Sequence, residues 1–356
     1  MTGTAYSLSR KSGWRRYVDD PPRPRPEKLN REQLAVLGED ALDEYNESRK
    51  DWHANFGIMR TPQLEEAHVA LEEIIDSNRQ DPDRIRVPAA FDAFPGMGKT
   101  TIVNTYARDF DRRQRRRFGE TTEDGHEHLP VFRVGLSSTT TLKSLNRRIC
   151  AFYGHPGAQR GSAELLGEYA LDCVLSCGTR LGVIDDLHFV NPRRRDGSDV
   201  SNHLKWLCSE FPVTFVYVGV GLREKGFLSD GLTGHNAAQA QNPRRWTVLG
   251  VSAFDIAEEH GREDWLTLIK SIQSRIVLAE HRRGDLTALS DYLFERTTGH
   301  IGSLMSLIVR GCRRAIQTGD ERISHDLLQH VQIDAAAEEA RQRLAASLAV
   351  MRSTTR

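Results

Sequence analysis

Residues 93–101, Ala-Phe-Pro-Gly-Met-Gly-Lys-Thr-Thr, restrict this chain to few folds. They follow a strand-like run from Val87 to Phe91 and open a helix-like run from Thr100 to Phe110. A strand, a glycine-bearing loop, Lys-Thr and a helix make up the phosphate-binding loop of a nucleotide hydrolase. Gly96 and Gly98, beside Pro95 and Met97, let backbone N–H groups wrap phosphates with no Cβ in the way. Lys99 is expected on the β- and γ-phosphates and the Thr100 hydroxyl on Mg²⁺, with Thr101 in the same first turn. The helix also points its positive end at the anion. The usual first glycine of the pattern is Ala93 here. The implied ligands are ATP and Mg²⁺.

A second motif fits the first. Leu181-Gly182-Val183-Ile184-Asp185-Asp186 is an apolar strand ending in two carboxylates, about 90 residues after Lys99. A Mg²⁺-bound phosphate needs a carboxylate near the metal and another to polarise the attacking water. Asp185 suits the first role and Asp186 the second. ATPases of this layout mostly carry Glu at the second position, so Asp186 is one methylene short. Slow hydrolysis is the expectation, because about 1 Å of misplacement can cost a hundredfold. A strand ending in a solvated Asp-Asp turn is the bland alternative.

The 356 residues suffice for two domains, or for one α/β domain with appendages. Lys plus Arg and Asp plus Glu both number 49, so any nucleic-acid contact must come from local patches. Five cysteines, Cys150, Cys173, Cys177, Cys208 and Cys312, form no C-x-x-C pair. They read as reduced core thiols of a cytosolic protein, with Cys173 and Cys177 on one helix face as packing residues. No apolar run approaches about 18 residues and Met1 is followed by polar residues, so membrane and secretory readings fail and a cytoplasmic location is expected.

Along the chain, the first thirty residues carry seven Lys or Arg against three acids, and four prolines lie between Pro21 and Pro26. This predicts a flexible basic arm, with Trp14 and Tyr17 as docking residues if it has a role. Residues 31–52 look helical, and Thr61-Pro62 starts another helix. Strands are predicted at 87–92, 131–136, 181–185 and 213–219, separated by helices at 99–117, 141–153, 162–178 and 200–210. Near-continuous apolar strands between helices imply a parallel sheet covered on both faces. Beyond Ala253, helical periodicity occupies 263–280, 285–296, 301–317 and 324–345. The expected fold is α/β, a P-loop NTPase core with a parallel sheet and a C-terminal helical lid. Expected boundaries are 1–60 for the basic Pro-containing arm and helical lead-in, 61–250 for the core, 251–335 for the lid and 336–356 for the last helix end and tail.

This layout is similar to the AAA+ ATPases. Within them, finer features resemble the TniB/TnsC/MuB group of transposition regulators. Tyr45-Asn46-Glu47-Ser48-Arg49-Lys50-Asp51-Trp52 with Ile58-Met59-Arg60-Thr61 resembles the segment leading into the core of TniB-like proteins. Val183-Ile184-Asp185-Asp186-Leu187-His188 matches their IDE-hydrophobic-His box with Asp186 for Glu. Leu204-Lys205-Trp206-Leu207 precedes Val216-Tyr217-Val218-Gly219-Val220, as an LK-x-L helix precedes a VxVGT strand there, with Val220 for Thr. Arg244-Arg245-Trp246 falls at that group's Arg-Phe pair. Thr298-Gly299-His300-Ile301-Gly302 resembles the lid turn but brings no second-sensor arginine. The similarity spans roughly residues 45–320.

The resemblance implies an ATPase that assembles on double-stranded DNA, as a ring or helical filament, and recruits or licenses a transposase or integrase-like protein. Arg245 is then the candidate arginine finger supplied to a neighbour, with Arg244 its nearest competitor. In that group, loops after the second strand line a filament around DNA, which points to Thr139, Thr140, Lys143, Arg147 and Arg148. Helix capping by Thr141 is the other reading of this hydroxyl-rich stretch. Arg112, Arg113, Arg115, Arg116 and Arg117, and Arg193, Arg194 and Arg195, are competing clusters or solvated faces. Rival functions are an ATP switch in defence or signalling with a protein partner only, and a scaffold that holds ATP without turning it over.

Overall fold

The near-continuous apolar runs of the sequence become buried parallel strands. The structure, a computed structural model, describes residues 5–81, 84–190, 195–225, 227, 246–339 and 341, without the side chains of 195–199 and 201. The chain divides into two compact units. One comprises Met1–Asp20, Gln63–Pro95 and Lys99–Val251; the other comprises Pro21–Pro62, Gly96–Gly98 and Ser252–Arg356.

In the first unit, β1 (Ala89–Asp92), β2 (Val131–Gly135), β3 (Leu181–Asp185), β4 (Thr214–Gly219) and β5 (Thr247–Leu249) form one sheet in the order β2-β3-β4-β1-β5. Every pairing is parallel, with Gly135 opposite Asp185 and Asp92 opposite Gly219. Every residue of β3 and β4 is buried, the mark of a sheet covered on both faces. Gly182 is held to glycine by packing, since a Cβ there would lie 2.7 Å from the Phe132 ring. The helices are α1 (Lys11–Asp19), α4 (Pro62–Ser77), α5 (Lys99–Phe118), α6 (Leu142–Tyr153), α7 (Ala163–Ser176) and α8 (Arg195–Glu210). Thr141 caps α6 in a reciprocal box with Ser144, which removes two orphan N–H groups.

The expected flexible basic arm is instead split and packed. Residues 11–19 are helical, and Trp14 is fully buried with its indole N–H donating to the Asp111 carboxylate at 2.9 Å. Lys11 pairs with Glu127 and Arg15 with Glu120, both at 2.7 Å. Trp14 and Val18, four residues apart, form the buried stripe, and acids of the core neutralise the cations. The strand β5, absent from the sequence expectations, is three residues long and pairs with β1 alone.

In the second unit, α2 (Arg31–Ala35) and α3 (Glu39–Ala54) replace the single helix expected at 31–52, because Gly38 restarts the chain as the N-cap of α3. They belong with α9 (Glu259–Gln273), α10 (Ser290–Thr297), α11 (Ile301–Thr318) and α12 (His325–Gln329). Trp265, Leu268, Ile269, Leu304, Leu307 and Leu328 form the centre of the core. The expected helix at 324–345 breaks after Gln329. Asp334 accepts from the Ala337 N–H and the Ser303 hydroxyl, and so starts a new turn at 335–339. No described helix is long and apolar enough to cross a membrane. The five cysteines are free.

Residues 21–62 are fastened by buried polar links. Arg49 and Glu321, 1% and 6% exposed in their side chains, form a two-pronged ion pair at 2.6 and 2.7 Å, and Glu321 also accepts from the Ala279 N–H. His53 accepts from the Val277 N–H at 3.0 Å, and burial pushes its pKa down to about 3. Arg49→Met is expected to cost about 3–5 kcal/mol, because it leaves Glu321 charged and buried without its partner. The double variant Arg49→Met, Glu321→Gln should recover most of that loss, since Gln retains the acceptor for Ala279. Urea unfolding of both variants measures this; equal losses would contradict it.

Candidate functional site

The loop between β1 and α5 bends where sequence alone asked it to bend. Gly96 and Gly98 adopt φ of 79° and 80°, the left-handed region in which a Cβ is strained. Met97 between them is buried and anchors the turn, while Pro95, Gly96, Thr100 and Thr101 are exposed. Lys99 opens α5, and its Nζ donates to the carbonyls of Ala93 and Phe94 at 2.6 and 2.7 Å. Burial lowers its pKa, against the opposing pull of Asp92, Asp185 and Asp186. Asp92, outside both sequence motifs, accepts from the N–H groups of Leu222 and Arg223 at 3.0 Å each.

The second motif lies two positions along the sheet, with β4 between, at the same carboxyl edge. Asp185 is buried, and its Oδ1 accepts from the Thr100 hydroxyl at 3.4 Å and the Asp186 N–H at 2.9 Å. The residues expected on the metal are therefore neighbours. A hydroxyl and a carboxylate are hard oxygen donors of the kind Mg²⁺ takes together with phosphate oxygens. Among the described residues no group of three or more His, Cys, Asp or Glu forms a separate metal cage. Asp186 adopts φ 63°, ψ 31°, a conformation aspartate tolerates better than most residues. Burial first, and Asp185 second, raise its pKa.

One partner was not foreseen. Asp185 Oδ2 accepts from Arg133 Nη2 at 2.6 Å, with side-chain exposures of 4% and 15%. A lone arginine inside the apolar run Val131–Val134 was the available signal, because a buried cation needs an acid within reach.

Comparison with known proteins agrees with this geometry. Residues 89–224 match the family model described as an AAA domain. No curated protein sequence matches the chain. Among solved structures, the chain is similar to the Orc1 protein of Aeropyrum pernix in complex with DNA, at 14% identity and a TM-score of 0.55, over 83% of this chain and 69% of that one. It is similar also to Cdc6p of Pyrobaculum aerophilum, at 14% identity and a TM-score of 0.53, over 75% of this chain and 65% of that one. The chain thus spans about two thirds of the length of these two proteins. The fold is that of an AAA+ P-loop NTPase core followed by helices.

Within the second unit of this AAA+ fold, the turn at 298–302 packs on the residues of the phosphate loop grouped with it. The Gly302 N–H donates to the Gly96 carbonyl at 2.8 Å. A Cβ at 302 would lie 2.9 Å from that oxygen, so no side chain fits at this point. Arg244 and Arg245 lie outside the described residues, as do Arg193 and Arg194 and the side chain of Arg195.

The candidate DNA contacts separate into two groups. Thr139, Lys143 and Arg147 are exposed. Thr140 is buried and its hydroxyl oxygen accepts from the Ser137 N–H at 2.8 Å. Arg148 turns back to the Gly135 carbonyl and the Ser137 hydroxyl, at 3.1 Å each. Those two side chains brace the loop after β2. In the competing run, Arg112 bonds the Val18 carbonyl, Arg113 pairs with Glu72, and Arg115 pairs with Asp111, Asp19 and Glu120. Arg113, although paired, is exposed, as are Arg116 and Arg117.

Lys99→Ala is expected to weaken ATP binding about 10–100-fold, the worth of one or two hydrogen bonds to charged groups. Titration with a fluorescent ATP analogue measures it. Wild-type affinity in the variant would remove this loop from the triphosphate site.

Proposed function

We propose that the chain is an ATPase that assembles on double-stranded DNA in an ATP-dependent, sequence-tolerant way and recruits or regulates a transposase. The observation that carries the nucleotide part is the meeting of Thr100 and Asp185, 3.4 Å apart, beside the left-handed Gly96 and Gly98. The backbone of Pro95–Gly98 cradles the triphosphate, Lys99 neutralises its β- and γ-phosphates, and Thr100 and Thr101 complete the first turn of the helix. Thr100 and Asp185 would hold Mg²⁺, which would supply charge neutralisation at the phosphates. Asp186 polarises the attacking water, and its raised pKa moves it toward the range useful to a general base. Its short side chain makes turnover slow.

The DNA part rests on surface charge and on the resemblance of residues 45–320 to TniB/TnsC/MuB proteins. Lys143 and Arg147, one helical turn apart on the exposed face of α6, contact backbone phosphates without reading bases. Self-assembly into a ring or filament brings Arg245 of one subunit to the nucleotide of the next, and the recruited partner is a transposase or integrase-like protein.

The test is salt-dependent DNA binding in the presence of ATP. Lys143→Ala and Arg147→Ala should each weaken binding to every duplex sequence alike. Each should lower the slope of log affinity against log salt by about 0.9. Wild-type affinity and slope in the double variant would reduce this segment to a helix cap. Absence of DNA binding by the wild-type chain would favour an ATP switch with a protein partner.

A further inference from the structure

Arg133 stands where nothing in the phosphate-loop chemistry requires it. It lies on β2 opposite Val183, two residues before Gly135, which is opposite Asp185. In a parallel pair, residues two apart share a face of the sheet. Gly135 contributes no side chain on that face, and the Arg133 guanidinium crosses the open space. An added Cβ at 135 would lie 3.7 Å from Arg133 Nη1 and 3.9 Å from Asp186 Oδ2. The guanidinium thus reaches Asp185 directly and faces Asp186 across Gly135. Its Nη2 holds Asp185 Oδ2 at 2.6 Å, its Nη1 is 3.4 Å from the Ser9 hydroxyl, and its buried Nε has no partner among the described residues.

Both oxygens of Asp185 are therefore engaged, Oδ1 by Thr100 and the Asp186 N–H, and Oδ2 by a fixed cation. A divalent ion approaching Asp185 meets a carboxylate already neutralised by Arg133. We infer that Arg133 is a positioning residue that competes with the divalent metal for Asp185 and so sets how much Mg²⁺ the site needs to hold a nucleotide. The ion pair keeps the buried carboxylate compensated and correctly turned before the metal arrives, and it raises the Mg²⁺ concentration at which metal and triphosphate bind together. The metal must displace or share a charge-assisted hydrogen bond that Arg133 makes to Asp185. Losing one such bond corresponds to about tenfold in metal affinity.

This inference rests on the nucleotide reading above, and the experiment separates the two. Binding of a fluorescent ATP analogue to the full chain is followed against free Mg²⁺ for wild type, Arg133→Gln and Arg133→Lys. Saturable binding by wild type establishes the nucleotide site by itself; its absence would overturn that reading first. Arg133→Gln should lower the Mg²⁺ concentration for half-maximal binding about tenfold, while binding in EDTA weakens because Asp185 is left uncompensated beside the triphosphate. Arg133→Lys keeps the charge on a shorter, single-pronged group and should shift the midpoint about threefold in the same direction. A purely structural role would lower affinity at all Mg²⁺ concentrations without moving the midpoint. If the Gln variant does not fold, the Lys variant decides. An unchanged or raised midpoint in a folded variant overturns the inference.

Discussion

The carboxylate of Asp185 is where the separate parts of the first unit converge. It ends β3, accepts from Thr100 in the first turn of α5, fixes the Asp186 N–H, and is held by Arg133 from β2. A buried charge of this kind is tolerable only when compensated and hydrogen-bonded. Strand order β2-β3-β4-β1-β5 supplies the compensation, because it sets β2 directly beside β3 and brings the phosphate loop after β1 to the same edge. Parallel strands make that edge a single place, since all of them end there.

The same economy of charge governs the surfaces. The Arg112–Arg117 run and the first thirty residues each look like a free basic patch in one dimension. In three dimensions α1 lies on α5, and Arg15, Arg115 and Lys11 are absorbed by Asp111, Glu120 and Glu127. The chain has equal numbers of acids and bases, and much of this basic character is spent internally. The cations exposed along α6, Lys143 and Arg147, therefore carry more of the argument for phosphate contact than the denser cluster does.

How much was legible in sequence follows from the range of each interaction. The phosphate loop, the Asp-Asp strand end and the four main strands depend on local patterns of glycine, apolar runs and period, and these appear in the structure where expected. Arg133 showed only as a lone cation in an apolar run; its pairing with Asp185 was not legible, because the two are 52 residues apart and only strand pairing makes them neighbours. Trp14 and Val18 carried a real helical signal, drowned by the surrounding arginines and prolines. The break before 335–339 depends on Asp334 as a cap, a single polar residue inside an otherwise continuous helical period. Thr140 and Arg148 were read by residue type, and type alone cannot tell an outward cation or hydroxyl from one folded back on its own loop.

The central claim is that the phosphate loop and the Asp185–Asp186 pair form one ATP-hydrolysing site. Single-turnover hydrolysis of ATP by wild type and Asp186→Asn tests it most directly, with bound ATP measured in the same samples. The account predicts slow but measurable turnover by wild type. It predicts undiminished binding by Asp186→Asn, with hydrolysis at least about a hundredfold slower, the lower end of a general base's contribution. Equal hydrolysis rates in the two proteins would contradict it.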